Sequence, residues 1–347
     1  GYEGGRVVAV LGLRRMGKSS LLRSFLNGYS VPHVYIDARR AAAVAGRATT
    51  RGFMEELGRA LAHFMRREAP LRDKLAEALR RVRGISVGLS PVTVTLSWGK
   101  ERADIISLFE AVDEVMGRTG RRLALVIDEV QELRGIGLDI PRLLAYIYDN
   151  LHNVVVFVAG SQVGLLYDVL KLDSPHSPLY GRAVYEVKMR RLRREEALDF
   201  LQRGFQQAGI NADQRELEEA VNALDGIIGW LTYYGWSRVM GAKSLGEILD
   251  TAARQVAEEI SGFLAKSRSG GRYKAILKAV AAKPMRWSEI KRVLEAEEGS
   301  AVDDRNLTDL LHRLEKVGLL EKREGLYAIP DPVVRLAVER HIRTGPA

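Results

Sequence analysis

Residues 12 to 19 read Gly-Leu-Arg-Arg-Met-Gly-Lys-Ser, and no other stretch restricts the chain as much. An apolar run from Arg6 to Leu11 precedes it, the pattern of a buried strand. Leu21, Leu22, Phe25 and Leu26 follow at a spacing that predicts a helix over 18–26. Glycines between a strand and a helix let backbone N–H groups converge on phosphate oxygens without Cβ clashes. The helix start adds the positive end of its dipole. On this reading Gly12, Leu13, Arg14, Arg15, Met16, Gly17, Lys18, Ser19 and Ser20 cradle a phosphate chain. With ATP or ADP as the ligand, Lys18 is expected to reach the β phosphate and, in ATP, the γ phosphate, and Ser19 to bind Mg²⁺.

The rest of the chain supplies a setting for such a loop. His33 to Asp37 reads as the next strand, residues 51–83 as helical, and Ile105 to Met116 and Ile140 to Leu151 as further helices. Leu123 to Ile127 and Val154 to Ala159 are wholly apolar strands. Buried strands separated by helices predict an α/β fold with a parallel sheet covered on both faces. Residues 85–96 alternate apolar and polar around Ser90-Pro91, a hairpin signal inserted on the surface of that core. After Lys188 the pattern turns helical, over Arg194–Gln207, Gln214–Leu224 and Ser244–Ser261. Ser267 to Arg272 reads as a polar, glycine-bearing linker. Beyond it, three helices and a two-stranded ribbon turning at Glu324-Gly325 form a winged-helix pattern. The expected partition is therefore 1–190, 191–268 and 269–347.

Asp128 and Glu129 end a strand whose preceding residues are apolar, which places the pair in the crevice where open α/β sheets bind ligands. Asp128 is expected to hold Mg²⁺ with Ser19, and Glu129 to polarise the attacking water. Ser161 closes the third core strand; it either positions water or the γ-phosphate, or simply ends the strand. Arg182, in Ser177-Pro-Leu-Tyr-Gly-Arg, is expected above the carboxyl ends of the sheet, where a guanidinium compensates charge during phosphoryl transfer. A surface arginine is the alternative. Lys188 to Arg194 carries five basic residues in seven. It is either a nucleic-acid patch or the solvated side of an interdomain segment, with Met189 and Leu192 buried.

Composition closes off other classes. There is no cysteine, which excludes disulfides and thiolate chemistry. The six histidines have no pair at ligand spacing, so no zinc site is expected. No apolar run reaches the roughly 18–20 residues of a membrane helix, and no charged-then-apolar leader opens the chain, so a cytoplasmic protein without a membrane partner is expected. The net charge of +9 invites phosphates and nucleic acid without choosing between them.

Several elements together resemble one family. They are the loop with its double arginine, Tyr35-Ile-Asp37-Ala-Arg39, Leu125-Val-Ile-Asp-Glu-Val-Gln, Ala159-Gly-Ser161, Pro178-Leu-Tyr-Gly-Arg182 and Gly229-Trp-Leu. From Val7 to about residue 335 the chain is similar to the archaeal ATPase family, in the STAND/AAA+ branch of P-loop NTPases and near the archaeal origin-recognition ATPases. The resemblance implies an ATPase core, a helical lid and a C-terminal winged helix. It implies Ser161 as a sensor, Arg182 acting on the γ-phosphate from its own chain or a neighbour, and Ile228-Gly229-Trp230 closing over the nucleotide. Family members usually carry a segment ahead of the first strand whose Arg-Glu element helps hold the base. Here the strand starts almost at Gly1, so no residue is assigned to adenine. The lid motif has Ile228 where a proline is common.

The partner is less determined. The third helix of the winged-helix pattern, Asp303 to Val317, carries Asp303, Asp304, Asp309 and Glu315 against Arg305, Arg313 and Lys316, a poor surface for reading a DNA groove. Lys322 and Arg323 in the wing remain available to phosphates. Three functions stay open: a nucleotide-driven switch that binds a protein partner, an initiator-like ATPase on duplex DNA, and an ATP-binding module without turnover.

Overall fold

The computed structural model describes residues 7–42, 46, 48–99, 102–161, 163–171, 174–241 and 244–342. The chain divides into two compact units. One holds the residues through Gly12 and Gly17–Met189; the other holds Leu13–Met16 and the chain from Arg190 onward.

In the first unit β1 (Val7–Leu11) leads through the glycine loop into α1 (Lys18–Gly28) and β2 (His33–Asp37). Then come α2 (Thr50–Arg67), α3 (Arg72–Arg80), β3 (Ile85–Leu89), β4 (Val92–Leu96), α4 (Ile105–Gly117) and β5 (Leu123–Asp128). α5 (Ile140–Asn150), β6 (Val154–Gly160), α6 (Val163–Leu170) and β7 (Val184–Lys188) complete it. The five long strands form a parallel sheet in the order β2-β5-β6-β1-β7. β1, β5 and β6 are buried along their whole length. Alternation sorts their side chains: Val8, Val10, Val126 and Phe157 meet Leu22 and Leu26 of α1 on one face. Val7, Ala9, Leu125 and Val156 meet α2, α4 and α5 on the other. Burying a valine or leucine side chain contributes roughly 1.5–3 kcal/mol, so these two layers are what hold the site's strands in place.

The expected single helix over 51–83 is two helices. Thr49 caps the first by accepting the Gly52 N–H at 3.0 Å, and Pro70 interrupts the run because it lacks an N–H and clashes with the carbonyl four residues back. The hairpin β3–β4 forms its own two-stranded sheet. It lies so close to α2 that a Cβ on Gly58 would sit 2.4 Å from the Val94 carbonyl oxygen. Two elements here had no clear sequence signal: α6, and the half-exposed edge strand β7, which carries Tyr185, Glu186 and Lys188. Arg6, at the start of the expected first strand, lies outside the described residues.

The second unit begins with α7 (Arg194–Gln207), α8 (Gln214–Leu224), α9 (Ile228–Val239) and α10 (Leu245–Ala265). It ends with α11 (Gly270–Ala282), β8 (Met285–Arg286), α12 (Trp287–Glu298), α13 (Asp304–Lys316), β9 (Glu321–Arg323), β10 (Leu326–Ala328) and α14 (Pro332–His341). The wing is an antiparallel sheet of order β8-β10-β9. The polar stretch 267–272 is shorter as a linker than its composition suggests, because Gly270 already starts α11. A Cβ on Gly270 would lie 2.3 Å from the Leu264 carbonyl oxygen, so this glycine permits close packing. Helices of 191–268 pack with the segment 269–347 in one compact unit.

Candidate nucleotide site

The loop leaves β1 at Leu11 and enters α1 at Lys18. Gly17 takes φ 80° as the cap of α1, a conformation glycine adopts without cost. Arg15 sits at φ 64°, which a side chain makes unfavourable. Lys18 is 4% exposed and its Nζ donates to the Gly12 carbonyl at 2.8 Å, so its ammonium curls back over the loop. Ser19 and Ser20 occupy the first turn of α1, where unpaired N–H groups and the helix dipole favour an anion.

β5 delivers Asp128 to the same place. Its side chain is fully buried. Oδ2 accepts from the Ser19 hydroxyl at 2.6 Å and from the Tyr35 phenol at 2.6 Å, and Oδ1 accepts from the Glu129 N–H at 3.0 Å. Ser19 Oγ and Asp128 are hard oxygen donors at one spot, a set that fits Mg²⁺ with substrate phosphates and water as its remaining ligands.

Glu129 adopts φ 54°, ψ 45°, a left-handed conformation that costs about 1–3 kcal/mol for such a residue. The bend aims its carboxylate at the end of β6. There Oε2 accepts from the Ser161 hydroxyl at 2.7 Å, the Ser161 N–H at 3.2 Å and the Gln131 amide. Burial works against the charged carboxylate. The Ser161 hydroxyl, the Gln131 amide and the Lys18 charge outweigh it, and the group is held below its ordinary pKa. An ionised, oriented carboxylate beside a phosphate loop can accept a hydrogen bond from a water molecule. Gln131, 5% exposed, ends the motif Leu125-Val-Ile-Asp-Glu-Val-Gln. Its role as a prop for Glu129 depends on a short helical turn at 130–133 that spacing alone does not reveal.

Arg182 is not brought to this site, contrary to the expectation that its loop sits above the carboxyl ends. It lies two residues before β7, whose first residue Val184 pairs with Val7 at the start of β1. The loop follows Leu11 at the other end of the sheet, roughly 15 Å away at about 3.3 Å per strand residue. The Arg182 guanidinium binds Asp149 near the end of α5, with Nε donating to Oδ1 at 2.9 Å and Nη2 to Oδ2 at 2.5 Å, and it also donates to the Pro178 carbonyl.

The double arginine belongs with the second unit. There Arg14 and Arg15 bind the two oxygens of Glu259 on α10 at 2.9 and 3.0 Å. The Arg15 guanidinium lies 4.2 Å from the centroid of the Trp230 ring, and its carbonyl accepts the Gly229 N–H at 2.7 Å. A Cβ on Gly229 would stand 2.7 Å from that carbonyl oxygen, so the motif glycine is a requirement of contact. The Trp230 indole donates at 2.9 Å to Asp331, which caps α14.

The basic run 188–194 does not form a free cationic patch. Lys188 pairs with Glu186, Arg190 and Arg193 with Glu196, Arg191 with Asp225, and Arg194 with Glu218. Met189 and Leu192 are half-buried, less than the full burial that the interdomain reading expects.

A glycine loop at the carboxyl end of β1, a buried Asp128 beside Ser19 and a parallel sheet in this order make the protein a P-loop ATPase. The chain belongs to the family described as ATPase domain predominantly from Archaea, whose model matches residues 2–233. A second model, the C-terminal winged helix-turn-helix domain of MCM proteins, matches residues 266–329. Among solved structures, the chain is similar to the Walker-type ATPase PABY2304 of Pyrococcus abyssi: 29% identity, 97% of this chain and 91% of that one covered, TM-score 0.80. It shares its fold with the ORC2 protein of Aeropyrum pernix in ADPNP and ADP complexes: 13% identity, 97% and 86% covered, TM-score 0.58. No curated protein matches the chain. Among the described residues no helix is long and apolar enough to cross a membrane.

Three experiments follow from the geometry. Glu129→Gln should keep ATP affinity and lose at least about a hundredfold in turnover, the usual worth of a positioned base. Because the wild-type carboxylate is held low, it should impose no acid limb on kcat until the pH falls below the ordinary glutamate value of about 4.3. Gln131→Leu removes a donor and leaves burial in place, so that limb should move to higher pH. An unmoved pH–rate profile would detach Gln131 from the base. Arg182→Ala should leave single-chain turnover nearly intact, far from the ~10³–10⁵ loss expected of an arginine on the γ-phosphate. A loss of that size at a dilution where the chain is monomeric would return Arg182 to its own chain's site.

Proposed function

We propose that the protein is a Mg²⁺-dependent ATP-hydrolysing switch in which the state of the phosphate loop is passed to the second unit through Arg14 and Arg15. Lys18 exchanges the Gly12 carbonyl for the β and γ phosphate oxygens. Ser19 and Asp128 hold Mg²⁺, which supplies charge neutralisation on the phosphates. Glu129 orients water for in-line attack, with Ser161 and Gln131 fixing its direction.

The observation that supports the switch is the contact of Arg15 with Gly229 and Trp230. Arg14 and Glu259 are about half exposed, at 50% and 45%. Such a pair contributes only about 0–1 kcal/mol. The buried Trp230 ring under Arg15 and the backbone bond to Gly229 tie loop geometry to α9 more firmly. Asp331 accepts from the same indole, so a shift of the loop reaches the cap of α14. A chain with Trp98, Trp236 and Trp287 changed to Phe reports on Trp230 alone. In a Glu129→Gln background its fluorescence should change on adding ATP and Mg²⁺, and in a Lys18→Ala background it should not. A Trp230 signal indifferent to saturating ATP in the binding-competent chain refutes the switch.

The winged-helix match favours a second reading, contact with duplex DNA. Lys322 and Arg323 on the wing are exposed. However, Arg323 is paired with Glu321, and the start of α13 presents Asp303 and Asp304. We expect weak binding without base preference and a shallow salt slope, of about one or two phosphate contacts. Fluorescence anisotropy over a salt series measures it. Tight, base-selective binding would contradict the acidic face of α13 and favour the initiator-like reading. Absence of binding would leave the winged helix as a surface for a protein partner.

A further inference from the structure

Away from the phosphate loop, the exposed edge of the sheet forms the floor of a cleft of about 710 Å³. The floor is β2, whose alternate residues His33, Tyr35 and Asp37 face it. α1 and α2 make the walls and β4 closes one side. The close fit of Gly58 on β4 makes that closure a fixed feature. The volume lies within the roughly 300–1,000 Å³ of small-molecule sites.

Its charge is one-sided. Four guanidinium groups, of Arg23, Arg40, Arg59 and Arg66, line the cleft against two carboxylates, of Asp37 and Glu56. Asp37 is already held by Arg39, with bonds of 2.9 and 2.7 Å. Glu56 is 4% exposed and anchors two arginines at once, Arg40 at 3.2 Å and Arg59 at 2.9 Å. A buried carboxylate between two guanidinium groups fixes their planes and leaves most of their five donors each unused. Arg66 donates to the Val92 carbonyl at 3.0 Å, and Arg23 lies over the Tyr35 ring at 5.2 Å. Among the described residues neither is within salt-bridge distance of a carboxylate, although the Arg23 charge also acts on Tyr35 and Asp37. Converging guanidinium groups repel one another unless an anion joins them, and their forked donors match phosphate oxygens.

We propose that this cleft is a second anion site, which takes the phosphate groups of a small phosphorylated ligand. It shares no residue with the loop at 12–20, and only its floor residue Tyr35 reaches the nucleotide site, by donating to Asp128. Phosphate esters come free or within a nucleic-acid strand; the closed side and small volume favour the free form.

The test titrates inorganic pyrophosphate into the full-length Lys18→Ala chain, in which the phosphate loop is silenced, by isothermal calorimetry. One equivalent should bind. Arg23→Gln with Arg59→Gln in the same chain should weaken binding by at least about tenfold, the worth of lost charge-assisted bonds. Arg23→Gln alone breaks no salt bridge, so it carries the test if the double variant fails to fold, with a several-fold loss expected. No binding to Lys18→Ala, or an affinity unchanged in the cleft variants, overturns the proposal. So does a twelve-residue thymidine oligonucleotide that binds more tightly than pyrophosphate and is lost with the same variants, which would make the cleft a nucleic-acid groove.

Discussion

A single buried carboxylate joins the parts of this ATPase. Taking an ion out of water costs several kcal/mol unless donors replace its hydration. Asp128 is fully buried and receives three, from Ser19, Tyr35 and the Glu129 backbone. Each comes from a different part of the fold: the first turn of α1, the edge strand β2, and the turn beyond β5. The sheet register makes this possible, since Asp37 of β2 lies beside Asp128 and Ile127 beside Val158 of β6. An unpaired Asp128 in this position would be untenable, so the apolar strands and the polar site specify each other.

The same economy governs Glu129. A left-handed backbone is a local cost that the surroundings must offset, and the Ser161 and Gln131 donors do so by fixing a charged carboxylate. Strain and orientation thus occur together at the residue proposed to orient the attacking water. Ser161 gains a definite place from this: its hydroxyl and its N–H both point to Glu129, so its contact with the phosphates is indirect unless the cluster rearranges.

Most of the core was legible because its signals are local. Glycines and lysine in fixed order, wholly apolar strands and a carboxylate pair at a strand end each lie within a few consecutive residues. The features that escaped are set by return paths. Nothing in the stretch from Ser177 to Arg182 says whether the loop before β7 lies at the amino or carboxyl end of the sheet, and the parallel direction of β7 decides it. β7 was itself hard to see because an edge strand with Tyr185, Glu186 and Lys188 exposed lacks the apolar run of its neighbours. The charges of residues 188–194 looked available because their partners, Glu218 and Asp225 among them, are distant in sequence or lie across a turn. Pro70 was readable, and a helix through it contradicted a rule of the backbone.

The basic excess of the whole chain therefore says little about its partner until each arginine is placed. Those at 190–194 neutralise acids of their own unit, and Arg14 and Arg15 share Glu259. The helix that would enter a DNA groove begins with Asp303 and Asp304, and Lys291 is drawn to the latter at 2.6 Å. In the first unit, by contrast, Arg23 and Arg66 face a concavity and, among the described residues, are not within salt-bridge distance of its two carboxylates. Positive charge matters for binding where geometry concentrates it and leaves donors unused, since exposed pairs are screened within about 10 Å at ordinary salt. By that criterion the phosphate loop, and the β2 cleft as proposed, offer an anion more unused donors than the start of α13 does.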